Sequence, residues 1–388
     1  MKILYDYQIF GRQKIGGISR YFCEIINHLP AEIKKDIVIQ YSDNVYLRQQ
    51  KSGLDIKDLF DPRIEFLNGI EFKGKGRLFQ LAKKINPQKY LNTETLNRNL
   101  TIEYLKKQDF DVFHPTYYDD YFLKYIGDKP FVLTIHDMNH ELYPEFYSSI
   151  DELEFVKTKA NLADKASHII AVSENTKKDI IQILGIKENK ISVIYHAASI
   201  DKGVGKEKFE IPEKYLLYVG DRAAEYKNFK FMARSLAPLL NEHSNLCVLC
   251  TGRQFDNKEN SFFLHLGSKD QFISKFVPDN LFFEIYRRAL ALVLPSYYEG
   301  FGIPILEAFR SNCPVVLANA SCFPEIARDA ALYFEPKSME SLREQVYKIL
   351  NNNSLRNNLI QKGQNRVRDF SWEMSAQKTL DVYSSVIH

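Results

Sequence analysis

Residues 294–308 read Leu-Pro-Ser-Tyr-Tyr-Glu-Gly-Phe-Gly-Ile-Pro-Ile-Leu-Glu-Ala, which predicts a strand, a glycine-rich turn and a helix in succession. An apolar run at 289–294 enters the turn, and Pro304 is at a position typical of a first helical turn. Such a junction directs backbone N–H groups and a positive dipole end into the crevice beyond the sheet, where they favour an anion. Glu299 and Glu307 flank these amides and can accept hydrogen bonds from hydroxyls. The stretch therefore predicts a ligand with phosphate and hydroxyl groups, such as a nucleotide sugar.

The same alternation of strands and helices extends over nearly the whole chain. Apolar runs predict strands at residues 3–5, 37–41, 112–114, 131–135, 168–172, 191–195, 215–219, 246–250, 290–294, 315–318 and 331–334. Amphipathic stretches between several of them predict helices at 18–29, 96–107, 152–165 and 174–184. Strands that alternate with helices are typical of a parallel, doubly wound α/β sheet.

The length of 388 residues allows two domains with separate cores. We expect two Rossmann-like doubly wound domains, residues 1–200 and 215–370, that face each other across a cleft. The polar stretch 201–214 is the predicted linker, and weak periodicity predicts an excursion from the first domain at about 46–90. Residues 371–388 predict a C-terminal helix that crosses back to the first domain.

Composition narrows the class of protein. The hydrophobic content of 45% is typical of a globular chain, and the balance of 52 Lys and Arg against 49 Asp and Glu argues against a nucleic-acid binder. We find neither an apolar run long enough to span a bilayer nor an N-terminal signal-peptide region, so we expect a cytoplasmic location. Five cysteines without secretory context argue against a disulfide framework. Cys247 and Cys250 have redox or zinc spacing but lie in a strand-like run, so we interpret them as structural.

Three further stretches carry candidate site residues. After the strand at 215–219, Gly220 leads to Arg222 and Lys227, and two cations on one loop can grip a diphosphate and neutralise it as it departs. His136 follows the strand at 131–135, at an end that we expect to face the cleft. The run Gly16-Gly17-Ile18-Ser19-Arg20 begins a helix, and its glycines let the backbone approach a diphosphate. Each stretch has an alternative interpretation without a site. Arg222 and Lys227 could be solvated surface cations, His136 could be a structural histidine, and the run at 16–20 could be an ordinary loop-to-helix turn.

These motifs together resemble a known family. Residues 295–336 resemble the donor-binding signature of the retaining, GT-B fold glycosyltransferases of family 4. They contain Glu299 and Glu307, then Ser-Asn-Cys-Pro-Val-Val at 311–316, Pro324-Glu325 and Asp-Ala-Ala at 329–331. The stretches around Gly16, His136 and Lys227 follow the family order, so the resemblance covers almost the full chain. It leans towards mannosyltransferase-like members that build bacterial surface polysaccharide.

The resemblance implies a retaining enzyme that moves a hexose, with a mannose-like sugar favoured, from a GDP- or UDP-linked donor to a glycan or lipid-linked glycan, as in O-antigen biosynthesis. Relatives use their cations for the diphosphate, their histidine to position both substrates, and their two acids for sugar and ribose hydroxyls. The implied catalytic residues are His136, Arg222, Lys227 and Glu299. The implied donor-binding residues are Gly16, Gly17, Gly220, Val277, Gly300, Phe301, Gly302, Ile303 and Glu307.

The sequence also bears on a metal cofactor, on membrane contact and on alternative functions. We find no Asp-x-Asp motif in a suitable loop, so we expect neither a metal nor another cofactor. Residues 71–90 are basic with interleaved apolar side chains, which predicts either docking at the inner face of the cell membrane or a solvated helix face. A GT-B-like nucleotide-sugar epimerase or phosphorylase and a non-catalytic nucleotide-sugar-binding subunit are the alternative functions.

Overall fold

The structure is a computed structural model that describes residues 1–49, 55–68, 70, 72–147, 149–200 and 209–387. Most of the predicted linker, residues 201–208, and the first residue of the basic segment, Glu71, lie outside the described residues.

The residues of the N-terminal half that the structure describes form six strands, all paired in parallel. They are β1 (Lys2–Tyr5), β2 (Lys34–Ile37), β3 (Val112–His114), β4 (Val132–Ile135), β5 (His168–Ala171) and β6 (Ile191–Val193). Two three-stranded sheets, β2-β1-β3 and β4-β5-β6, are joined by a parallel bridge between Phe113 and Phe131. The resulting order is 2-1-3-4-5-6, so the chain leaves β1 on one side and returns on the other, which makes the β1/β3 boundary the topological switch point.

Nine helices accompany these strands in the described part of the N-terminal half. They are α1 (Gln8–Arg12), α2 (Gly17–His28), α3 (Val45–Gln49), α4 (Pro62–Glu65), α5 (Lys75–Ile85), α6 (Thr93–Lys107), α7 (Asn139–Leu142), α8 (Ile150–Lys165) and α9 (Glu174–Leu184). Helices α3, α4 and α5 occupy the predicted excursion at 46–90.

The C-terminal half forms one parallel sheet of six strands in the order β9-β8-β7-β10-β11-β12. These strands are β7 (Lys214–Tyr218), β8 (Leu246–Thr251), β9 (Phe272–Lys275), β10 (Ala291–Leu294), β11 (Val315–Ala318) and β12 (Ala331–Phe334). The helices are α10 (Phe229–Glu242), α11 (Asn257–His265), α12 (Phe282–Arg288), α13 (Ile303–Arg310), α14 (Phe323–Ala327), α15 (Met339–Asn351), α16 (Asn353–Arg366) and α17 (Trp372–Val386). This is the 3-2-1-4-5-6 order of a Rossmann sheet, with its switch point between β7 and β10.

Two strands at sheet edges differ from the prediction. The strand predicted at 37–41 is wrong in its bounds, because β2 pairs with β1 from Lys34 to Ile37. Strand β9 was not predicted, and its burial alternates along Phe272–Lys275. Both strands are outermost in their sheets and carry polar side chains, so they lack the continuous apolar run of β10 and β11, in which every residue is buried.

The C-terminal helix α17 packs against α2 of the N-terminal half. The Ser371 side chain caps its first turn by accepting a hydrogen bond from the Met374 N–H. Farther along, the Tyr383 hydroxyl lies 2.9 Å from the Tyr5 hydroxyl and 2.6 Å from His114 Nδ1. These buried polar contacts attach the end of the chain to the first sheet. Among the described residues, we find no helix with the length and apolar character that a membrane crossing requires.

Candidate active site

The site begins at the switch point of the second sheet, where the loops after β7 and β10 leave adjacent strands. Lys227 Nζ donates a hydrogen bond of 2.8 Å to Glu299 Oε1, and Ser296 Oγ donates to the same oxygen at 2.9 Å. The Lys227 and Glu299 side chains are each 20% exposed, so solvent reaches the pair. A ligand phosphate that takes the place of Glu299 would keep the Lys227 ammonium paired with an anion.

Gly220 determines the path of the Lys227 side chain. A Cβ atom at residue 220 would lie 3.2 Å from Lys227 Cδ and 3.3 Å from the Tyr218 hydroxyl, so a larger residue would push Lys227 aside. The two loops are joined because the Tyr297 N–H donates to the Tyr226 carbonyl at 2.9 Å. Lys227 and Glu299, both predicted site residues, are thus held together by the backbone.

Arg222 points in another direction. Its Nε donates to Glu259 Oε1 at 2.8 Å and its Nη2 donates to the Arg253 carbonyl at 2.7 Å, while the guanidinium lies over the Phe255 ring. The Arg222 side chain is almost fully buried in this arrangement. The structure therefore does not bring Arg222 beside Lys227 and Glu299, although all three were predicted to act together.

The turn after β10 leads into α13 through Gly302, which has a φ of +87° and stands at the N-cap. Glycine adopts this backbone conformation without the strain that a side chain would cause. Pro304 has no N–H and the Ile305 N–H donates to the Gly302 carbonyl at 2.9 Å, so within the first turn of α13 it is the Ile303 N–H that can donate to a ligand anion. Ile303 is the first helical residue and Pro304 the second, as predicted for this stretch.

Glu307 lies one turn farther into α13 and is buried. Its Oε2 accepts a hydrogen bond of 2.8 Å from the Tyr286 hydroxyl, and its Oε1 lies 3.3 Å from Arg20 Nη1 of the N-terminal half. Arg20 also donates to Asp279 at 2.9 Å and packs over the Tyr46 ring. Burial raises the pKa of Glu307, and the Arg20 charge opposes that rise.

Arg20 and Tyr286 are two residues of this cluster that the sequence analysis missed. Arg20 belongs to the glycine-rich stretch, but its partners are more than 250 residues away along the chain. Val277, one of the implied donor-binding residues, is buried two residues before Asp279 and follows β9. The Arg20–Asp279 contact therefore connects this turn with Glu307.

The Gly16–Gly17 stretch faces the start of α13. A Cβ atom on Gly17 would lie 3.9 Å from Ile303 Cδ1, so the two predicted stretches meet across the cleft. Gly16 is the N-cap of α2, and the space that its side chain would occupy holds Gln13 Oε1, which accepts from the Ser19 N–H at 3.1 Å.

His136 follows β4 and is held by its backbone. Its N–H donates to the Tyr118 hydroxyl at 3.0 Å, and a Cβ built on Gly300 would lie only 1.6 Å from the His136 carbonyl oxygen. The glycine-rich turn thus packs directly on His136. His136 Nε2 is buried and finds no hydrogen-bond partner among the described residues. Burial holds the pKa of His136 well below its ordinary value, so the imidazole is neutral at pH 7.

Phe301, in the same glycine-rich turn, packs against an aromatic cluster of the N-terminal half. Its ring centroid lies 4.9 Å from that of His196, which stacks at 6.0 Å on His136 and lies 5.9 Å from Trp372. Burial lowers the pKa of His196 to about 3. The cluster explains why Phe301 is buried although it lies in a loop at the cleft.

Among the described residues, no group of three or more His, Cys, Asp or Glu side chains is placed so that it could hold a metal ion. The expectation that the site works without a metal stays a prediction.

Two family models match the chain. Residues 199–366 match the family described as Glycosyl transferases group 1, and residues 15–202 match Glycosyltransferase Family 4. O-antigen chain mannosyltransferase B of Escherichia coli is 27% identical over 266 residues, which cover 65% of this chain and 69% of that protein. O-antigen chain mannosyltransferase RfbU of Salmonella typhimurium is 29% identical over 220 residues, or 56% of this chain and 60% of that protein.

Solved structures resemble the chain over nearly its whole length. Anabaena Alr3699/HepE in complex with UDP-glucose has a TM-score of 0.71 at 17% identity and covers 99% of this chain and 100% of its own. WaaG, a glycosyltransferase involved in lipopolysaccharide biosynthesis, has a TM-score of 0.70 at 13% identity, with 99% of each chain covered. These likenesses confirm the predicted fold of two Rossmann-like domains. Because the two family models together span residues 15–366, the chain belongs to the family 4 glycosyltransferases with the GT-B fold.

Proposed function

We propose that this enzyme transfers a hexose, with a mannose-like sugar preferred, from a nucleotide-diphosphate donor to a glycan or lipid-linked glycan of a bacterial surface polysaccharide. The observation that carries the proposal is the Lys227–Glu299 pair at the β7/β10 switch point, beside the open N-terminus of α13. The relatives named as O-antigen mannosyltransferases support the sugar and the pathway class. The solved neighbour with UDP-glucose supports a nucleotide-sugar donor.

Each residue then has a defined task. Lys227 leaves Glu299 for the donor diphosphate, and Glu299 becomes free to accept hydrogen bonds from sugar hydroxyls. The Ile303 N–H, at the start of α13, donates to the same phosphates. Glu307, whose carboxylate is fixed by Tyr286, accepts from the ribose hydroxyls. A diphosphate contact from Arg222 would first require its ion pair with Glu259 to open.

The proposed chemistry retains the anomeric configuration. The bond between the anomeric carbon and the diphosphate breaks while the acceptor oxygen bonds to the same face of that carbon. The acceptor hydroxyl gives its proton to a departing phosphate oxygen, and Lys227 stabilises the charge that remains. His136 is a neutral, buried imidazole whose backbone packs on the glycine-rich turn, so its task is to position the substrates.

A donor panel tests this proposal. GDP-mannose, UDP-glucose and UDP-N-acetylglucosamine should be compared by thermal shift, because a ligand at one hundred times its Kd stabilises the native state by about 2.7 kcal/mol. We expect GDP-mannose to stabilise the enzyme most, and product analysis by NMR to show the retained anomer. An enzyme that binds no nucleotide sugar, or that releases the inverted anomer, would refute the corresponding part of the proposal.

Two substitutions test the donor residues. Lys227→Ala and Glu307→Ala should each lower donor use about tenfold or more, since a hydrogen bond to a charged group contributes roughly 1.5–3 kcal/mol. Lys230→Ala is the matched control, because Lys230 is an exposed residue on α10 only three positions from Lys227. Donor turnover that is unchanged in both site variants would remove these residues from the donor site.

The charge on Lys227 also replaces the role that a metal ion has in other transferases. We expect transfer to continue at an unchanged rate after treatment with EDTA. Loss of transfer in EDTA and its recovery on addition of Mg²⁺ or Mn²⁺ would contradict metal independence.

We further propose that the basic segment 71–90, which the structure describes from residue 72 onward, docks on an anionic membrane, which suits a lipid-linked acceptor. Helix α5 exposes Leu78, Leu81 and Ile85, the last with 85% of its surface accessible, beside Lys83 and Lys84. Sedimentation with phosphatidylglycerol vesicles should carry the enzyme down, and phosphatidylcholine vesicles should not. Lys83→Glu with Lys84→Glu should abolish binding, whereas Lys106→Glu with Lys107→Glu on α6 should not. Equal binding by both double variants would exclude this surface.

A further inference from the structure

Ser321 lies in the loop between β11 and α14, and its hydroxyl bonds both main-chain groups of Glu299. Its Oγ accepts from the Glu299 N–H at 3.2 Å and donates to the Glu299 carbonyl at 2.7 Å. A hydroxyl has one proton to donate and lone pairs with which to accept, so a single side chain can satisfy both groups. The main chain of Glu299, from which its carboxylate extends, is therefore held by a residue 22 positions farther along the chain.

The neighbouring Cys322 adds a third bond. Its Sγ donates to the Glu299 carbonyl at 3.1 Å, and its side chain is fully buried. Burial raises the pKa of the Cys322 thiol well above its ordinary value, so the sulfur keeps the proton that it donates. The Glu299 carbonyl thus accepts from a hydroxyl and from a thiol, one for each of its two lone pairs.

The backbone of Ser321 is unusual for serine. It has a φ of +52°, and the Phe323 N–H donates to the Ala320 carbonyl at 3.2 Å, which closes a four-residue turn with Ser321 in its second position. A positive φ at this position is typical of glycine, asparagine or aspartate and costs free energy for serine. Glycine would form the turn without strain. The turn therefore does not explain the serine, whereas the two bonds to Glu299 do.

We propose that Ser321 is a positioning residue that determines how the enzyme recognises the donor sugar, because it holds Glu299 where the carboxylate meets the sugar hydroxyls. The inference rests on the proposed function, in which Lys227 binds the diphosphate and Glu299 binds the sugar. Ser321 then acts through Glu299 and not on the substrate itself.

The bonds to the main chain matter most when the donor binds. In the structure, Lys227 Nζ and Ser296 Oγ both donate to Oε1 of Glu299, so Oε2 can accept from a sugar hydroxyl. When Lys227 turns to the diphosphate, Glu299 gives up its ion pair and loses one of the contacts that orient it. The bonds from Ser321 and Cys322 do not involve the carboxylate, and they keep Glu299 in place during that exchange.

Both segments that meet at Glu299 are attached to the start of α9 in the N-terminal half. The Gly300 carbonyl, next in the turn, accepts at 2.7 Å from Oγ of Ser173, the N-cap of α9. Cys322 is the N-cap of α14, and Glu325 of that helix accepts from two N–H groups in the first turn of α9. The place of Glu299 in the cleft thus depends on contacts of both halves.

Ser321→Gly tests the inference, because it removes the hydroxyl while glycine adopts the positive φ without strain. The probes are two pairs, GDP-mannose with GDP and UDP-glucose with UDP, titrated by calorimetry. For the pair that the wild type binds, we expect Ser321→Gly to weaken the nucleotide sugar about tenfold, since the charged carboxylate no longer meets the sugar hydroxyls. Affinity for the free diphosphate should not change. A role in stability alone would leave the ratio of the two affinities as in the wild type.

Three further measurements accompany this test. Asn312→Gly is the matched control, because Asn312 also has a positive φ, +59°, but lies beyond the far end of α13, and it should alter neither affinity. Glu299→Ala should abolish the preference for the nucleotide sugar, and adding Ser321→Gly to it should cause no further loss, because Ser321 acts through Glu299. Without ligand, hydrogen exchange of the Glu299 amide should accelerate in Ser321→Gly, which lacks the acceptor.

The inference would be overturned by a sugar preference that survives in Ser321→Gly, by an equal loss of affinity for both members of the pair, or by unchanged exchange of the Glu299 amide. A preference that survives in Ser321→Gly but is lost in Glu299→Ala would reject Ser321 and leave the proposed function intact. A wild type that binds neither GDP-mannose nor UDP-glucose would refute the proposed function. Faster exchange of the Glu299 amide in Ser321→Gly would then still establish that the hydroxyl holds Glu299, and unchanged exchange would refute that as well.

Discussion

His196 is a buried ionisable residue inside an aromatic cluster. Its ring lies 4.7 Å from Tyr21 and 4.9 Å from Phe301, and its Nδ1 has no hydrogen-bond partner among the described residues. Burial lowers its pKa to about 3, and the pKa of buried His114 is lowered to about 3 in the same way. Burial penalises a positive charge at His196, so the folded protein holds the neutral imidazole.

This burial predicts a pH-dependent stability. The unfolded imidazole takes up a proton near pH 6.5, whereas folded His196 does so only near pH 3. The stabilisation is therefore complete above pH 6.5 and is lost as the pH falls towards 3. His196→Phe should reduce the slope of the unfolding free energy against pH by at most roughly 1.4 kcal/mol per pH unit between pH 6 and pH 4.5.

Urea unfolding at several pH values measures that slope, and His265→Gln, at an exposed position, is the control. A slope that is the same in His196→Phe and the wild type would mean that the native protein accommodates a charged His196.

Site residues on the loops that follow strands could be predicted from the sequence. Lys227 and Glu299 both come after apolar runs, so the sequence placed them at one edge of a sheet. The direction of Arg222 could not be predicted, because its partner Glu259 belongs to the capping box that begins α11, on the loop after β8. Nothing in the spacing of Arg222 and Lys227 reveals this competing carboxylate.

The turn between β10 and α13 is the element on which the two halves of the site depend. The Gly300 carbonyl accepts from Ser173 Oγ at 2.7 Å, while its Cα faces the His136 carbonyl so closely that a Cβ would lie 1.6 Å from the oxygen. Gly300→Ala must therefore move the turn away from His136. A displacement of about 1 Å in a reaction centre can cost roughly 100-fold in rate, and we expect a loss of that order in transfer.

Steady-state kinetics of Gly300→Ala should be compared with those of Gly76→Ala, since a Cβ at residue 76 meets no atom within 4 Å among the described residues. A transfer rate of Gly300→Ala within twofold of the wild type would show that the contact with His136 does not exist in the working enzyme.

Strands could be predicted from the sequence where both faces of the sheet cover them. Strands β10 and β11 and helix α13 were located from apolar runs and from the turn that joins them. The outermost strands β2 and β9 were misplaced or missed, because their exposed positions accept polar residues such as Lys34 and Lys275.

The two halves of the protein are joined by contacts that no local pattern could reveal. Both Glu325 oxygens bind the first turn of α9, accepting from the Glu174 N–H at 2.7 Å and the Asn175 N–H at 3.0 Å. In the middle of the same helix, the Tyr298 hydroxyl donates to Asp179 at 2.6 Å. Glu325 was predicted only as part of the donor-binding signature, whereas its side chain attaches the C-terminal half to the N-terminal half.

Removing this attachment should loosen the cleft without damaging either half. A carboxylate at a helix N-terminus contributes about 1 kcal/mol, so Glu325→Ala should lower stability by that order. Hydrogen exchange of the Glu174 and Asn175 amides should accelerate, because both lose their acceptor, while the exchange of β10 and β11 stays unchanged.

The control is Asp329→Ala, which removes an exposed carboxylate that pairs with Lys362 at 3.0 Å. It should leave the exchange of the Glu174 and Asn175 amides as in the wild type. If Glu325→Ala leaves the Glu174 and Asn175 amides as protected as in the wild type, the Glu325 carboxylate does not cap α9 in solution. Arg20 and Tyr298 would then hold the two halves together instead.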